Sequence, residues 1–538
     1  FWLKLLRPFA MAADAGVPSH RWLLSLFHRL GLPCAGACPS LEAALEAEEG
    51  PRAHRKDAAH ALKAHESFSS GDHLGVDLFV CASENKFALL VSIVAALNSA
   101  MLGYDVSIMS GANVFIRKSF QLSDEQEEFE SGILNLAGVF GALLMGQLMD
   151  RCGRRRAILL ACSWAGVGIA VAASAARFEH LVAGRAVLGL ALGGVCVVVP
   201  VYIAEVVPVR MRGFLVSLSE IFICIGILLG FLSGWAIGSL SMPHAWRIMI
   251  GLGLLPVAVV LVAMPLLPES PRWLVMMGRR EEALAVISRS CFDDTAANAF
   301  MDDIEQSLQS CEKATWRDIL CPTRTVRSIM LAGFGVALMQ QLTGIEATMY
   351  YTPAVLRDAG FRSESDQLAL TVALGVVKLL TSLFAGTLID RVGRRPLLIG
   401  GALSIAASFV VLATGFATNS GLACVAGLCM FTTSYSASLG PVGWVVIGEV
   451  FPMRIRGTAA SVAVAINRGA SAACTFVFLS LSDVLTPSGL FVMLAAVNAC
   501  SAVAIYFVLP ESKGKSLEQL EQDFAVLAGD YEFLGDKK

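Results

Sequence analysis

Five ionisable side chains, Asp105, Arg185, Glu220, Glu346 and Lys378, stand inside segments that are otherwise apolar. A charge at the centre of a bilayer costs about 2.5–3.5 kcal/mol, so five in one chain must pair or line a water-filled cavity. Groups placed in that way exchange protons or make charge-assisted hydrogen bonds to a polar solute. The chain offers no nucleophile beside a base, no metal-ligand cluster and no phosphate loop. Carriage of a solute is therefore the chemistry to expect, without enzymatic conversion, cofactor or metal.

Two local spacings refine this. In the stretch QQLTGIEATMYY, Gln340 to Tyr351, an unbroken helix would point Gln341 and Glu346 about 140° apart. Thr343-Gly344 offers a break, and irregular backbone is tolerated within a membrane where it lines a cavity. The expectation is a kink near Gly344 that turns both side chains inward. Arg185, Gly189 and Gly193 follow at intervals of four, so the arginine lies on a stripe of small residues suited to close helix packing and faces the bundle.

The elements that position these residues must be membrane spans. The chain has 538 residues, 56% hydrophobic and only 16% charged, with a mean hydropathy of +0.66. Its net charge of −3 says little about partners, so the distribution of charge matters more than the total. Most of the 14 cysteines lie singly in apolar segments, as Cys162, Cys224 and Cys500 do, and read as small hydrophobes. A span needs about 20 apolar residues. That criterion gives about twelve all-α spans, near 87–109, 131–149, 156–175, 180–202, 214–238, 247–267, 327–351, 367–389, 397–417, 422–446, 458–481 and 488–509. Basic loops such as DRCGRRR and DRVGRR fall on one side, and LSDEQEEFE falls in a loop on the other. Because Lys and Arg favour the cytoplasm, both termini are expected inside.

Short motifs then repeat at nearly one offset. Asp150-Arg-Cys-Gly-Arg-Arg155 returns as Asp390-Arg-Val-Gly-Arg-Arg395, Glu205-Val-Val-Pro-Val-Arg-Met-Arg-Gly213 as Glu449-Val-Phe-Pro-Met-Arg-Ile-Arg-Gly457, and Pro268-Glu-Ser270 as Pro510-Glu-Ser512. Two related halves, with a substrate site near the midplane between them, are a transporter architecture. The expected parts are a cytoplasmic tail over 1–85, a six-helix half over 86–268, a cytoplasmic helical loop over 269–326, a second six-helix half over 327–510 and a tail over 511–538. The first residue is Phe1, Met11 is a candidate start, and Phe1 to Phe9 has weak amphipathic character.

The paired D-R-x-G-R-R motifs, PVYIAEVVPVRMRG, PESPRWL, QQLTGIEATMYY, GPVGWVVIGEVFPMRIRG and PESKGKSLEQLE together resemble the sugar porters of the major facilitator superfamily. GYDVSIMSGA, the acid in FLVSLSEIFICIGILLG, the lysine in GVVKLL and the dipeptide Asn467-Arg468 resemble plant polyol and monosaccharide transporters in particular. The resemblance implies the major facilitator fold, with twelve transmembrane helices in two pseudo-symmetric halves. It also implies that Asp105 and Arg185 are a proton-coupling pair, for which a permanent structural ion pair is the alternative. Separating such a pair in an apolar wall favours proton uptake by the acid.

By the same resemblance Gln340, Gln341, Asn467 and Trp444 contact the substrate, their amides and indole suiting a polyhydroxylated ligand. Hexose porters of the family typically carry asparagine, glutamine and asparagine where this chain has Glu346, Glu220 and Lys378. Glu346 and Lys378 are expected to pair across the seventh and eighth helices and, with Glu220, to meet substrate hydroxyls. Arg154, Arg155, Glu205 and Arg212, with Arg394, Arg395, Glu449 and Arg456, are expected to form ion-pair networks that shut the cytoplasmic side. The function that follows is proton-coupled import of a polyol or monosaccharide by alternating access. The alternatives are an uncoupled facilitator and a sugar receptor that does not transport. The expected partners are the small-molecule substrate, the proton and the bilayer, with no nucleic acid, and the expected state is a monomer. The plasma membrane is the expected location, with the vacuolar membrane as the alternative.

Overall fold

The computed structural model describes residues 85–240, 242, 244–291, 294–310, 316–452, 454–515 and 517–530. The expectations for the N-terminal tail before Asn85, the helix at Phe1 to Phe9 and the start at Met11 lie outside the described residues. Among the described residues all regular structure is helical.

Eleven helical stretches are long and apolar enough to cross a bilayer: Lys86–Phe120, Asp124–Cys152, Arg154–Ala173, Phe178–Val206, Leu215–Gly238, Ala245–Leu266, Arg324–Asp358, Glu364–Gly386, Arg394–Ala417, Gly421–Val450 and Arg456–Val508. The last is 53 residues long, more than twice the roughly 20 that a bilayer needs. It breaks at Thr486, whose φ of 67° and ψ of 155° are not helical, immediately before Pro487. It is therefore two spans, and the described residues hold twelve, named here first to twelfth in chain order. Between the sixth and seventh spans lie short helices, Pro271–Met276, Arg280–Ser290, Asp294–Ser310 and Trp316–Leu320, as the polar composition there suggests.

Three other spans are discontinuous. The sixth is made of Ala245–Gly251 and Leu254–Ala263. The seventh is made of Arg324–Leu342 and Ile345–Asp358, separated at Gly344, which adopts a left-handed φ of 75°. The tenth is made of Gly421–Ala437 and Leu439–Val450, with Ser438 at φ −132° and ψ −94° between them. The second span begins earlier than its apolar run suggests. Ser123 and Gln126 form a reciprocal capping box, so the acidic stretch expected as a loop becomes the first turns of a helix. That change carries Glu127, Glu128 and Glu130 into the bundle, where all three are buried.

The stripe on the fourth span packs as its spacing suggests. A Cβ on Gly189 would lie 2.1 Å from the Leu134 carbonyl oxygen, and one on Gly193 would lie 2.0 Å from that of Gly138, so only glycine lets the second span approach this closely.

The repeated loop motifs form the same structure twice. At the start of the third span the Glu269 carboxylate accepts hydrogen bonds from the backbone N–H groups of Arg154 and Arg155, at 2.9 and 3.0 Å. At the start of the ninth, Glu511 accepts from those of Arg394 and Arg395, both at 3.0 Å. A carboxylate at a helix N-terminus satisfies otherwise unpaired donors and complements the helix dipole. The carboxylate can reach because Gly153 and Gly393 turn with φ of 94° and 98°. Alanine at either glycine is predicted to lower the melting temperature in detergent, by the equivalent of about 2 kcal/mol at Gly153 and about 1 kcal/mol at Gly393. The difference arises because the new Cβ would lie 2.4 Å from Glu269 Oε2 but 3.0 Å from Glu511 Oε2.

Candidate functional site

The broken seventh span and the eleventh span build a polar centre. With Gly344 reversing the chain, Gln341 Nε2 donates to Glu346 Oε1 at 3.3 Å, so these two side chains converge as their spacing around a break requires. Gln341 Nε2 also donates to Asn467 Oδ1 at 3.2 Å. Asn467 Nδ2 donates to Gln340 Oε1 at 2.7 Å and to the Ala337 carbonyl at 3.0 Å. Gln340 Nε2 in turn donates to the carbonyls of Leu439 and Gly440, at 3.1 and 2.9 Å, just beyond the break in the tenth span. Trp444 is half-buried against the core, one helical turn beyond Gly440.

Glu346 does not pair with Lys378. Its Oε1 lies 2.7 Å from Arg468 Nη2, and its Oε2 accepts from the Ser471 hydroxyl. Arg468 is buried and spends its remaining donors on Asn467 Oδ1 and on Asn135 Oδ1 of the second span, the latter at 3.2 Å. A buried guanidinium cannot shed its proton, so it takes the adjacent carboxylate. Lys378 lies elsewhere in the bundle. Its ammonium sits 4.9 Å from the Tyr435 ring centroid, and its charge acts on Glu220 of the fifth span. Cys224 Sγ and Ser382 Oγ are 3.2 Å apart, and Gly375 approaches Phe231, so the fifth and eighth spans pack side by side along this stretch.

The Asp105–Arg185 contact forms as expected. Arg185 Nη1 lies 3.0 and 3.2 Å from Asp105 Oδ1 and Oδ2, and both residues are buried. A second carboxylate shares the guanidinium: Glu130 Oε1 of the second span is 2.8 Å from Arg185 Nε. Tyr350, from the helix Ile345–Asp358, lies close enough to act electrostatically on the same arginine, and its buried hydroxyl makes no hydrogen bond there.

On the basic-loop face, Arg154 Nε lies 2.8 Å from Glu205 Oε2, and Arg394 Nη2 lies 2.9 Å from Glu449 Oε1. Ser270 and Ser512 donate to the same two carboxylates. Each of these pairs lies within one half, so it braces that half and does not tie the halves together. The other arginines of the expected networks hold different partners. Arg155 donates to the carbonyls of Pro265 and Leu267, Arg395 to that of Tyr506, and Arg456 Nε to that of Phe451. Burial pushes the Arg212 guanidinium below its ordinary value, and the charges of Asp303 and Glu205 oppose that shift.

Four functional groups were therefore missed or misassigned from sequence. Arg468 was visible within the eleventh span as a sixth intramembrane ion, and Ser471 stands one turn from Asn467. Glu130 was hidden in an acidic run read as a loop. Asn135 carried no local signal, because its role depends on the opposite half.

Twelve spans in two halves that repeat one capping structure, with a buried polar centre built partly on broken helices, define a membrane transporter of the major facilitator fold. The sugar (and other) transporter family matches residues 91–524. Probable polyol transporter 4 of Arabidopsis thaliana is 39% identical over 448 residues, covering 82% of this chain and 85% of that one. The glucose transporter GlcP of Staphylococcus epidermidis is 32% identical over 451 residues, covering 83% and 98% respectively. Among solved structures, the proton:xylose symporter XylE of E. coli bound to 6-bromo-6-deoxy-D-glucose superposes with a TM-score of 0.71 at 26% identity, covering 81% of this chain and 99% of that one. The chain belongs to the sugar (and other) transporter family, among the sugar porters of the major facilitator superfamily, and is a sugar or polyol transporter by that membership.

The pairing of Glu346 is testable by a double-mutant cycle on purified protein. Glu346→Gln strands a buried Arg468 and should cost about 3–5 kcal/mol of stability, while adding Arg468→Gln should recover a large part of it. Lys378→Gln should combine with Glu346→Gln additively, within about 0.5 kcal/mol.

Proposed function

We propose that this transporter imports a neutral polyol or monosaccharide together with a proton, by alternating access of its two six-helix halves, 86–268 and 327–510. The observation that carries this reading is the helix Ile345–Asp358. It places Glu346 in the central polar network and, one turn later on the same face, Tyr350 at the Asp105–Arg185 pair. A movement of that helix about Gly344 would be felt by both centres, which is what coupling requires.

Substrate contacts are assigned to Gln340, Gln341, Glu346 and Asn467 in the centre, to Glu220 and Lys378 across the fifth and eighth spans, and to Trp444 on the tenth. The charged members balance, Arg468 against Glu346 and Lys378 against Glu220, so a neutral ligand rich in hydroxyls fits better than an ionic one. Gln341 Oε1 and Asn135 Nδ2 are buried acceptor and donor atoms without a protein hydrogen-bond partner, and a ligand hydroxyl, which both donates and accepts, can satisfy each. Relatives named as polyol transporters support the substrate class, and a relative named as a proton:xylose symporter supports coupling.

Asp105 is assigned as the proton carrier and Arg185 as its counter-charge. Arg154, Arg155, Glu205, Arg212, Arg394, Arg395, Glu449 and Arg456 brace the cytoplasmic ends so that each half moves as one body. The basic loops, and with them both termini, face the cytoplasm, and the plasma membrane is the proposed location. At 100 mV one co-transported proton supplies about 2.3 kcal/mol, enough for nearly a fifty-fold substrate gradient.

Uptake of a panel of labelled polyols and monosaccharides into proteoliposomes tests the reading. Saturable uptake of at least one, abolished above equilibrium by a protonophore and by Asp105→Asn, is the expected result. Uptake that ignores the protonophore would indicate a facilitator, and binding without uptake would indicate a receptor.

A further inference from the structure

Arg185 touches two carboxylates at once, through different nitrogens. Nη1 serves Asp105 of the first span, whereas Nε lies 2.8 Å from Glu130 Oε1 and donates to the Glu130 carbonyl oxygen at 3.1 Å. All three residues are almost wholly enclosed, at 7% exposure for Asp105 and 1% for Arg185 and Glu130. With both acids ionised the trio carries one excess negative charge.

We propose that Glu130 is the standing counter-ion of Arg185, a positioning residue that holds the guanidinium while Asp105 is protonated and thereby sets the proton concentration at which coupling operates. The inference rests on the proton-coupled reading above. Its physical basis is that arginine keeps its charge, so protonating a lone aspartate partner would leave an uncompensated buried cation, which is strongly unfavourable. With Glu130 in place, protonating Asp105 leaves a neutral arginine–glutamate pair and removes the excess negative charge. The proton is thus taken up in relief of repulsion between two carboxylates, and no buried charge is stranded.

The surroundings distinguish the two acids. Ser131 Oγ donates to Glu130 Oε2 at 3.4 Å, and Glu130 Oε1 stands 2.8 Å from Arg185 Nε as an ion pair while the Nε–H itself is directed at the Glu130 carbonyl, so Arg185 holds both the side chain and the backbone of Glu130. Asp105 relies on the single nitrogen Nη1 for both of its oxygens. The other titratable groups facing the trio are Tyr104 beside Asp105 on the first span, Glu127, one turn earlier on the second span, Tyr350 and Tyr351 from the seventh, and Glu346, whose charge acts on Asp105. The eleventh span packs alongside through Phe476 and through Ser480, which binds Glu128. Among the described residues Arg185 is the one cation in contact with either carboxylate.

A polar cavity also approaches the trio. A cavity of about 560 Å³ on the acidic-loop face is lined by Ser110, Asn113, Glu127, Tyr350 and Tyr351. Asn113 Nδ2 donates to Ser131 Oγ at 3.2 Å, and Ser131 is bonded to Glu130. Hydrogen bonds therefore link the cavity lining, through Asn113 and Ser131, to Glu130.

The test is the dependence of proteoliposome uptake on external pH, with melting temperature in detergent as the check on folding. Neutralising position 130 removes the repulsion that favours protonation of Asp105. Glu130→Gln should therefore need about tenfold more protons for half-maximal uptake, a shift of about one pH unit to the acid side. Glu130→Leu should shift the same way, and is read if the glutamine variant does not fold. Glu130→Asp, which keeps the charge, should restore a profile near the wild type. A wild-type pH response that the neutral variants leave in place overturns this proposal alone. A wild-type uptake rate that ignores pH and protonophore overturns it together with the proton-coupled reading.

Discussion

A guanidinium in a protein cannot discharge itself, so every buried arginine must be met by a carboxylate wherever the chain folds. Two such arginines organise this bundle. Arg185 gathers Asp105 of the first span and Glu130 of the second onto the fourth. Arg468 draws Glu346 from the seventh span and Asn135 from the opposite half onto the eleventh. Helices that otherwise meet through alanine, glycine and leucine are thereby fixed in register at two depths of polar contact. The energetic stakes are asymmetric: a complete pair adds little net stability, but removing one partner costs several kcal/mol.

Around these pairs the molecule separates parts that should stay rigid from parts that can move. On the basic-loop face, Glu269 with Glu205 and Glu511 with Glu449 bind helix N-termini and arginines within their own halves. On the acidic-loop face the polar contacts run between halves, as in Lys118 with Glu364 and Ser480 with Glu128. The halves are therefore joined at that face in this conformation. The helix Ile345–Asp358, released from the preceding helix at Gly344, lies against the first span and carries Tyr350 to Arg185. On the proposed reading it is the element through which the state of the proton site is communicated to the polar centre.

Much of the architecture was legible in the sequence because membranes impose few solutions. Apolar length and the repeated motifs give the spans and their arrangement in two halves with little ambiguity. Gly344 was legible because a carboxylate five residues from an amide cannot share its helical face. Pairing was less legible. Sequence distance cannot say that Arg468 lies across from Glu346 while Lys378 sits over the Tyr435 ring. The capping box at Ser123 was in plain view, yet four glutamates in nine residues outweighed it, and Glu130 was assigned to a loop. The repeat of Pro-Glu-Ser is visible in the sequence but its purpose is not, because the donors that Glu269 and Glu511 satisfy lie more than a hundred residues away.

If Asp105 carries the coupling proton, charge crosses the membrane with substrate. This is tested most directly by recording current from the reconstituted protein when a transported polyol or sugar is added with no imposed gradient of pH or salt. The expected result is an inward current that saturates with substrate, grows as the external solution is acidified and is absent in Asp105→Asn. Substrate uptake with no accompanying current in the wild type would contradict it.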